Sequence, residues 1–121
     1  MIPVLSVTSE CVPLVKTGGL ADVAGALPGA LAPFGVEMRT LLPGYPAVMA
    51  AQPAAPAILD LGKFFGGAAV IRRGALGDRV LYILDAPHLF DRDGTIYLGP
   101  DGKDWPDNPM RFAALSRALG A

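Results

Sequence analysis

The first 43 residues alternate structural types in an order that few folds accommodate. Pro3-Val4-Leu5-Ser6-Val7 is a short, apolar, β-branched run of the kind buried in parallel sheets. Leu20, Val23, Ala24, Leu27 and Leu31 then recur three and four residues apart, which places them on one helical face. Val36 to Leu42 is a second strand-like run, closed by Pro43-Gly44-Tyr45-Pro46. Strand, helix and strand over so short a span make one βαβ unit, with parallel strands and a right-handed crossover. Pro28 predicts a kink, or the start of a second helical segment. Gly35 stands where a left-handed cap residue ends a helix.

Beyond Pro46 the pattern is looser. Ala47 to Pro56 reads as a surface connection, and Ile58–Leu61 and Ala68–Arg73 as shorter strands. Val80 to Leu84 is a clearer strand, introduced by the Gly77-Asp78 turn signal. Ala86 to Pro106 is rich in Asp, Gly and Pro and reads as a long loop, a length usually reserved for function or disorder. Asn108 suits an N-cap and Pro109 the first helical position, after which Phe112, Leu115 and Leu119 share a face. A parallel sheet needs helices on both faces, and with two helices one face is expected to lack full cover. The expectation is therefore an α/β, Rossmann-like, three-layer parallel-sheet domain of which these 121 residues are the front part.

Composition removes several function classes. Ten basic residues against eleven acidic ones give a net charge of −1, which leaves no electrostatic footprint for nucleic acid. Apolar residues form 52% of the chain, enough to fill a core. The apolar stretch from Leu20 to Val36 is broken by Asp22, Gly25, Pro28, Gly29, Pro33 and Gly35, so it suits a core helix rather than a membrane span. Met1-Ile2-Pro3-Val4 has no basic residue ahead of its apolar stretch, so no secretory signal is expected. Cys11 is the single cysteine; it excludes an internal disulfide or a cysteine-based zinc site and points to a cytoplasmic setting. His88 is the single histidine, and no metal or cofactor is expected.

The segment with chemistry to offer is Ser9 to Leu20, which joins the carboxyl end of the first strand to the first helix. In open α/β sheets ligands bind at such strand ends. Gly18-Gly19 lets backbone approach a ligand without a β-carbon in the way. The helix amino terminus offers N–H groups and partial positive charge, and Lys16 adds a full charge. Together these suit a phosphorylated ligand; a Gly-rich turn beside a solvated lysine is the plainer alternative. A Walker A loop has its Lys after the last Gly, and the dinucleotide fingerprint spaces three glycines, so neither is present.

Lys16-Thr17-Gly18-Gly19-Leu20-Ala21-Asp22-Val23 resembles the N-terminal signature of bacterial glycogen synthases and plant starch synthases. Further blocks are similar to the same family: Ser9-Glu10, Gly25-Ala26-Leu27-Pro28, Leu41 to Pro46, Asp85 to Arg92, and Asp107-Asn108 with Arg111-Phe112. Ala47 to Asp78 is the least family-like stretch. The resemblance implies a two-domain glycosyltransferase of GT-B type with the active site between two Rossmann-like domains. It implies transfer of glucose from ADP-glucose to the non-reducing end of an α-1,4-glucan, with retention and without a metal. On this chain it assigns substrate binding to Lys16, Gly18, Gly19, Asp22 and Tyr97, with Asp22 as a possible catalytic group. It places most of the nucleotide pocket, and a further Arg and Lys, in the second domain. The 121 residues alone are therefore expected to be inactive; a non-catalytic carbohydrate- or phosphate-binding module is the alternative.

Other residues carry competing readings. Asp22, in the first helical turn, also complements the helix dipole. Tyr97 serves either as a sugar-facing ring with a hydroxyl or as an ordinary loop tyrosine. Glu10 is a loop acid that could touch the glucan. Asp85 and Asp91 form a carboxylate pair of unknown separation, with Asp85 expected to cap the next loop. His88 is expected to order that loop, Trp105 to offer an aromatic platform, and Arg111 and Arg117 to face solvent from the last helix.

Overall fold

The computed structural model describes residues 1–120. Its strands are β1 (Ile2–Val7), β2 (Val36–Pro43), β3 (Ala57–Phe64), β4 (Gly67–Leu76) and β5 (Arg79–Asp85). Its helices are α1 (Gly19–Leu31), α2 (Pro46–Ala51), α3 (Pro87–Phe90) and α4 (Asn108–Ala118), with a 3₁₀ turn over Ala32–Phe34. The strands form one sheet in the order β1-β2-β5-β4-β3.

The β1–α1–β2 unit matches the sequence reading, with β1 and β2 parallel and β5 parallel to β2. The sheet is mixed, however, because β3, β4 and β5 run antiparallel to one another. Chain length between strands explains this. β4 and β5 are joined by Gly77-Asp78 alone, and β3 and β4 by Phe65-Gly66. Two-residue connections can join only antiparallel neighbours. Phe65 and Gly66 both have positive φ (54° and 95°), the geometry whose twist matches a hairpin. Both strands run several residues past the expected ends.

β1 was expected to be buried and is not: Ile2, Val4 and Leu5 are exposed. It forms the sheet edge and has a partner on one side only. The buried face of α1 also differs from the expected leucine stripe. Ala21, Ala24 and Pro28 are buried, whereas Leu20, Val23 and Leu27 are exposed. The cause is close approach. A β-carbon on Gly25 would lie 2.7 Å from the Val12 carbonyl oxygen, and Val12 N–H donates to Ala21 O at 3.0 Å. Only small side chains fit between the helix and the loop beneath it. Helix α1 continues through Pro28 as one element, and Gly35 ends the turn after it at φ 77°.

The 47–56 connection is not wholly irregular, since α2 occupies its first half with Pro46 in its first turn and Val48 buried. In α4 the first helical residue is Asn108, and Asp107 is the cap position. The buried face of α4 is Arg111, Ala114, Leu115 and Ala118; Leu119, expected there, is exposed.

Helix α1 lies over one sheet face, where Ala24, Gly25 and Pro28 approach Thr40 and Arg79. Helix α4 lies over the other, where Ala118 and Leu119 approach Leu41, Ile71 and Tyr82. Strand alternation sends neighbouring residues to opposite faces, so Thr40 and Leu41 serve different layers. This is the three-layer arrangement expected. Leu41, Leu42, Leu81, Ile83, Leu84, Leu89 and Phe90 form its centre. Among the described residues no helix is long and apolar enough to cross a membrane.

Candidate functional site

The Ser9–Leu20 segment leaves the carboxyl end of β1 and is pinned at several points. Thr8 N–H donates to Leu41 O, and Cys11 pairs with Val15 across a tight bend. The next residues, Lys16 to Gly19, form the exposed crest. A β-carbon on Gly18 or Gly19 would meet nothing within 4 Å, so this backbone is open to a ligand. Lys16 Nζ lies 2.6 Å from Asp22 Oδ2, and both side chains are more than half exposed.

Glu10 lies beneath the crest, almost wholly buried. Its Oε1 accepts N–H bonds from Gly18 (3.1 Å) and Ala21 (3.2 Å), with Thr17 N–H at 3.5 Å. Its Oε2 accepts from the Thr17 hydroxyl (2.6 Å) and the Tyr97 hydroxyl (2.7 Å). From the sequence, the N–H groups at the start of α1 are expected to be free for a ligand anion. The structure corrects this: Gly18 and Ala21 already serve a carboxylate of the same chain, because a buried charge must collect donors. What the crest presents outward is the Lys16–Asp22 pair and the Gly18-Gly19 backbone.

Tyr97 comes from the long loop between α3 and α4. Its hydroxyl also lies 2.6 Å from Ser9 Oγ, while the Tyr45 hydroxyl donates to Ser9 O at 2.8 Å. Burial, together with the neighbouring Glu10 charge, raises the Tyr97 phenol above its usual range. All five predicted site residues therefore meet in one corner. Lys16, Gly18 and Gly19 are contiguous, Asp22 joins through Lys16, and Tyr97 joins through Glu10. The Tyr97 hydroxyl is turned inward to Glu10 and Ser9. Next to this corner is a cavity of about 420 Å³, lined by Lys16, Thr17, Tyr45, Phe90, Arg92 and Arg111 among others.

Several residues hold stations the sequence did not reveal. Arg111, expected in solvent, is 1% exposed. Its Nε donates to Leu89 O (2.6 Å), and its Nη1 donates to Ile96 O (3.0 Å) and Asn108 Oδ1 (2.7 Å). The long loop has carbonyls that burial removes from water, and Arg111 supplies their donors. The signal was available: residues 111, 114, 115 and 118 recur at helical spacing. Arg92 grips Asp107 with two bonds of 2.6 Å and lies 5.0 Å over the Trp105 ring. Trp105 is thus a packing partner of Arg92 within the loop. Asp85 pairs with Arg72 at 2.8 Å rather than capping the next loop, since β4 runs alongside β5. His88 Nε2 lies 2.8 Å from Phe64 O and ties α3 to the hairpin, an ordering role of the kind expected. Among the described residues no group of three or more His, Cys, Asp or Glu is placed to hold a metal ion.

The Glu10 cluster carries a pH prediction. Burial alone would raise this carboxyl, but bonds from the Thr17 and Tyr97 hydroxyls and the Gly18 and Thr17 amides outweigh it and hold it down to about 2. A group depressed in the folded state stabilises the fold fully above its unfolded value, near 4.3, and loses that contribution as pH falls toward 2. The loss is at most about 3 kcal/mol. Urea midpoints measured across this range should fall more steeply for the native chain than for Glu10→Gln. Parallel slopes would contradict the assignment.

The sequence pattern of the starch synthase catalytic domain matches residues 3–121. The chain belongs to the starch synthase catalytic domain family. It is 73% identical over 118 residues to a glycogen synthase of Paracoccus denitrificans, covering 98% of this chain and 25% of that protein. A glycogen synthase of Rhodopseudomonas palustris strain BisB18 is 59% identical over 96% of this chain and 24% of its own length. The chain thus spans about a quarter of the curated relatives it matches. In structure it is similar to the catalytic domain of starch synthase IV from Arabidopsis thaliana, solved bound to ADP and acarbose. The TM-score is 0.71 at 24% identity, over 98% of this chain and 24% of that one, and the likeness shows a shared fold. The starch synthase signature residues 16–23 coincide with the exposed crest and the first turns of α1.

Proposed function

We propose that these residues are the N-terminal part of a glycogen synthase that transfers glucose from ADP-glucose to the non-reducing end of an α-1,4-glucan, with retention. The observation that carries this reading is the open Gly18-Gly19 backbone beside the Lys16 ammonium, at the carboxyl ends of parallel strands. Breaking the glucosyl–phosphate bond leaves negative charge on the departing ADP. A cation fixed near that charge lowers the barrier. Lys16 supplies it, with the Gly19 backbone beside it, and Asp22 holds the ammonium over the crest until the donor arrives. Asp22 and Tyr97 belong to the sugar end of the same corner. The remaining nucleotide contacts belong to a second Rossmann-like domain in a GT-B arrangement. The enzyme works in the cytoplasm and needs neither metal nor cofactor.

The family supports this reading, and so does the Arabidopsis relative, whose catalytic domain was bound to ADP and acarbose. The test is a graft. These 121 residues replace the matching quarter of the Paracoccus denitrificans glycogen synthase, and glucose incorporation from ADP-glucose into glycogen is measured. The expected result is transfer within about tenfold of the unaltered enzyme, a barrier change of about 1.4 kcal/mol or less, and none from the 121 residues alone. A folded graft that binds maltooligosaccharide but transfers nothing would favour the non-catalytic module instead.

A further inference from the structure

Glu10 is a buried charge with no cationic partner among the described residues. Its nearest cation by sequence, Lys16, is turned outward to Asp22. A buried carboxylate persists only where donors converge on it. Here they converge from two separate parts of the chain: Thr17, Gly18 and Ala21 from the bend and α1, and Tyr97 from the long loop 87 residues away. Each oxygen serves a different task. Oε1 takes the amides at the start of α1, while Oε2 ties the Thr17 hydroxyl to the Tyr97 hydroxyl. Neither oxygen has capacity left for a sugar hydroxyl, so direct contact with glucan is not its role.

We propose that Glu10 is a positioning residue: its buried carboxylate fastens the Lys16–Gly19 bend to the loop carrying Tyr97, so that the two present one rigid wall to the donor. This rests on the reading that a sugar-nucleotide donor meets the bend. Helix α1 alone cannot fix the bend, because Gly18 and Gly19 have no side chains to pack and sit in open space. The long loop is held elsewhere by Arg111 and Arg92, which grip Leu89, Ile96, His88 and Asp107. Glu10 transmits that rigidity to the crest. A glutamine of the same shape keeps one acceptor oxygen and turns the other position into a donor, so it cannot satisfy both groups of partners.

The experiment uses the grafted synthase, with hydrogen exchange read by mass spectrometry beside steady-state kinetics. In Glu10→Gln, exchange in peptides covering residues 16–22 and 94–99 should rise by at least about tenfold, while peptides from β2 and β5 stay as protected as before. The KM for ADP-glucose should rise and kcat fall, with the KM for glycogen unchanged. Thr17→Val should reproduce part of both effects and Thr17→Ser should not, since serine keeps the hydroxyl. If Glu10→Gln does not fold, the Thr17 pair carries the same comparison. Unchanged exchange at the bend, or an equal rise across β2 and β5, overturns the proposal. A graft without transferase activity defeats the functional reading but leaves the exchange result readable.

Discussion

Arg111→Ala is expected to lower the unfolding free energy by about 3–5 kcal/mol. The substitution removes the donors to Leu89 O, Ile96 O and Asn108 Oδ1 at once. Each orphaned buried acceptor costs about 1–3 kcal/mol. It also empties space packed against Phe90 and Phe112, whose ring centres lie 5.4 and 5.5 Å from the guanidinium carbon. Small domains have only about 5–15 kcal/mol in total, so the variant sits near the edge of folding. Arg117→Ala, on the exposed side of the same helix, is the control and should stay within about 0.5 kcal/mol. Arg111→Lys should recover only part of the loss, because one ammonium cannot reach three acceptors in the directions a guanidinium does. Chemical denaturation with circular dichroism reads all three. A change under about 1 kcal/mol in Arg111→Ala would show that the loop carbonyls find other donors.

The contrast between these two arginines shows where sequence reading fails. Charged residues are buried only when paired, so an arginine on a helix is placed in solvent by default. Among the described residues Arg111 has no acidic partner to betray it; its acceptors are the backbone carbonyls of Leu89 and Ile96 and the side-chain amide of Asn108. Glu10 was obscure for the same reason, since three of its donors are backbone amides, and amides are identical in every sequence. By contrast, β1, α1, β2 and Gly35 were legible, because apolar runs, helical spacing and a left-handed cap each have one physical meaning.

Helix α1 is the instructive intermediate case. Its spacing announced a helix, yet the face chosen by hydrophobicity was the wrong one. Leucines fill a gap of ordinary width, whereas here the helix axis comes so close to Val12 that Gly25 and the alanines are the only residues that fit. The hairpin direction was within reach, since Gly77-Asp78 is too short for anything but an antiparallel return. The position of the candidate site follows from the βαβ unit alone, because the bend after β1 must open at the strand ends. Its internal wiring does not, because Tyr97 arrives from a loop whose path depends on Arg92 and Arg111.

Lys16→Ala in the grafted synthase is expected to reduce kcat by about 10²–10³-fold, or about 2.7–4 kcal/mol of transition-state stabilisation, while leaving the fold intact. The two halves of this expectation rest on the same geometry. Lys16 is more than half exposed and bonded only to an equally exposed Asp22, and such pairs contribute about 0–1 kcal/mol to stability. Its loss should therefore leave the melting midpoint almost where it was. Catalysis differs on the proposed function, in which a donor and a second domain would close over the crest, exclude water and strengthen the same charge. Lys16→Arg should retain more activity than alanine but not all of it, since a planar guanidinium cannot place a compact charge at one phosphate oxygen. Asp22→Asn separates the neighbours: it frees the ammonium without removing it, so a milder loss than in Lys16→Ala identifies Asp22 as its holder. A Lys16→Ala enzyme whose turnover falls by less than about threefold would remove the cation from the mechanism, and with it the reason for an open, side-chain-free backbone at Gly18 and Gly19.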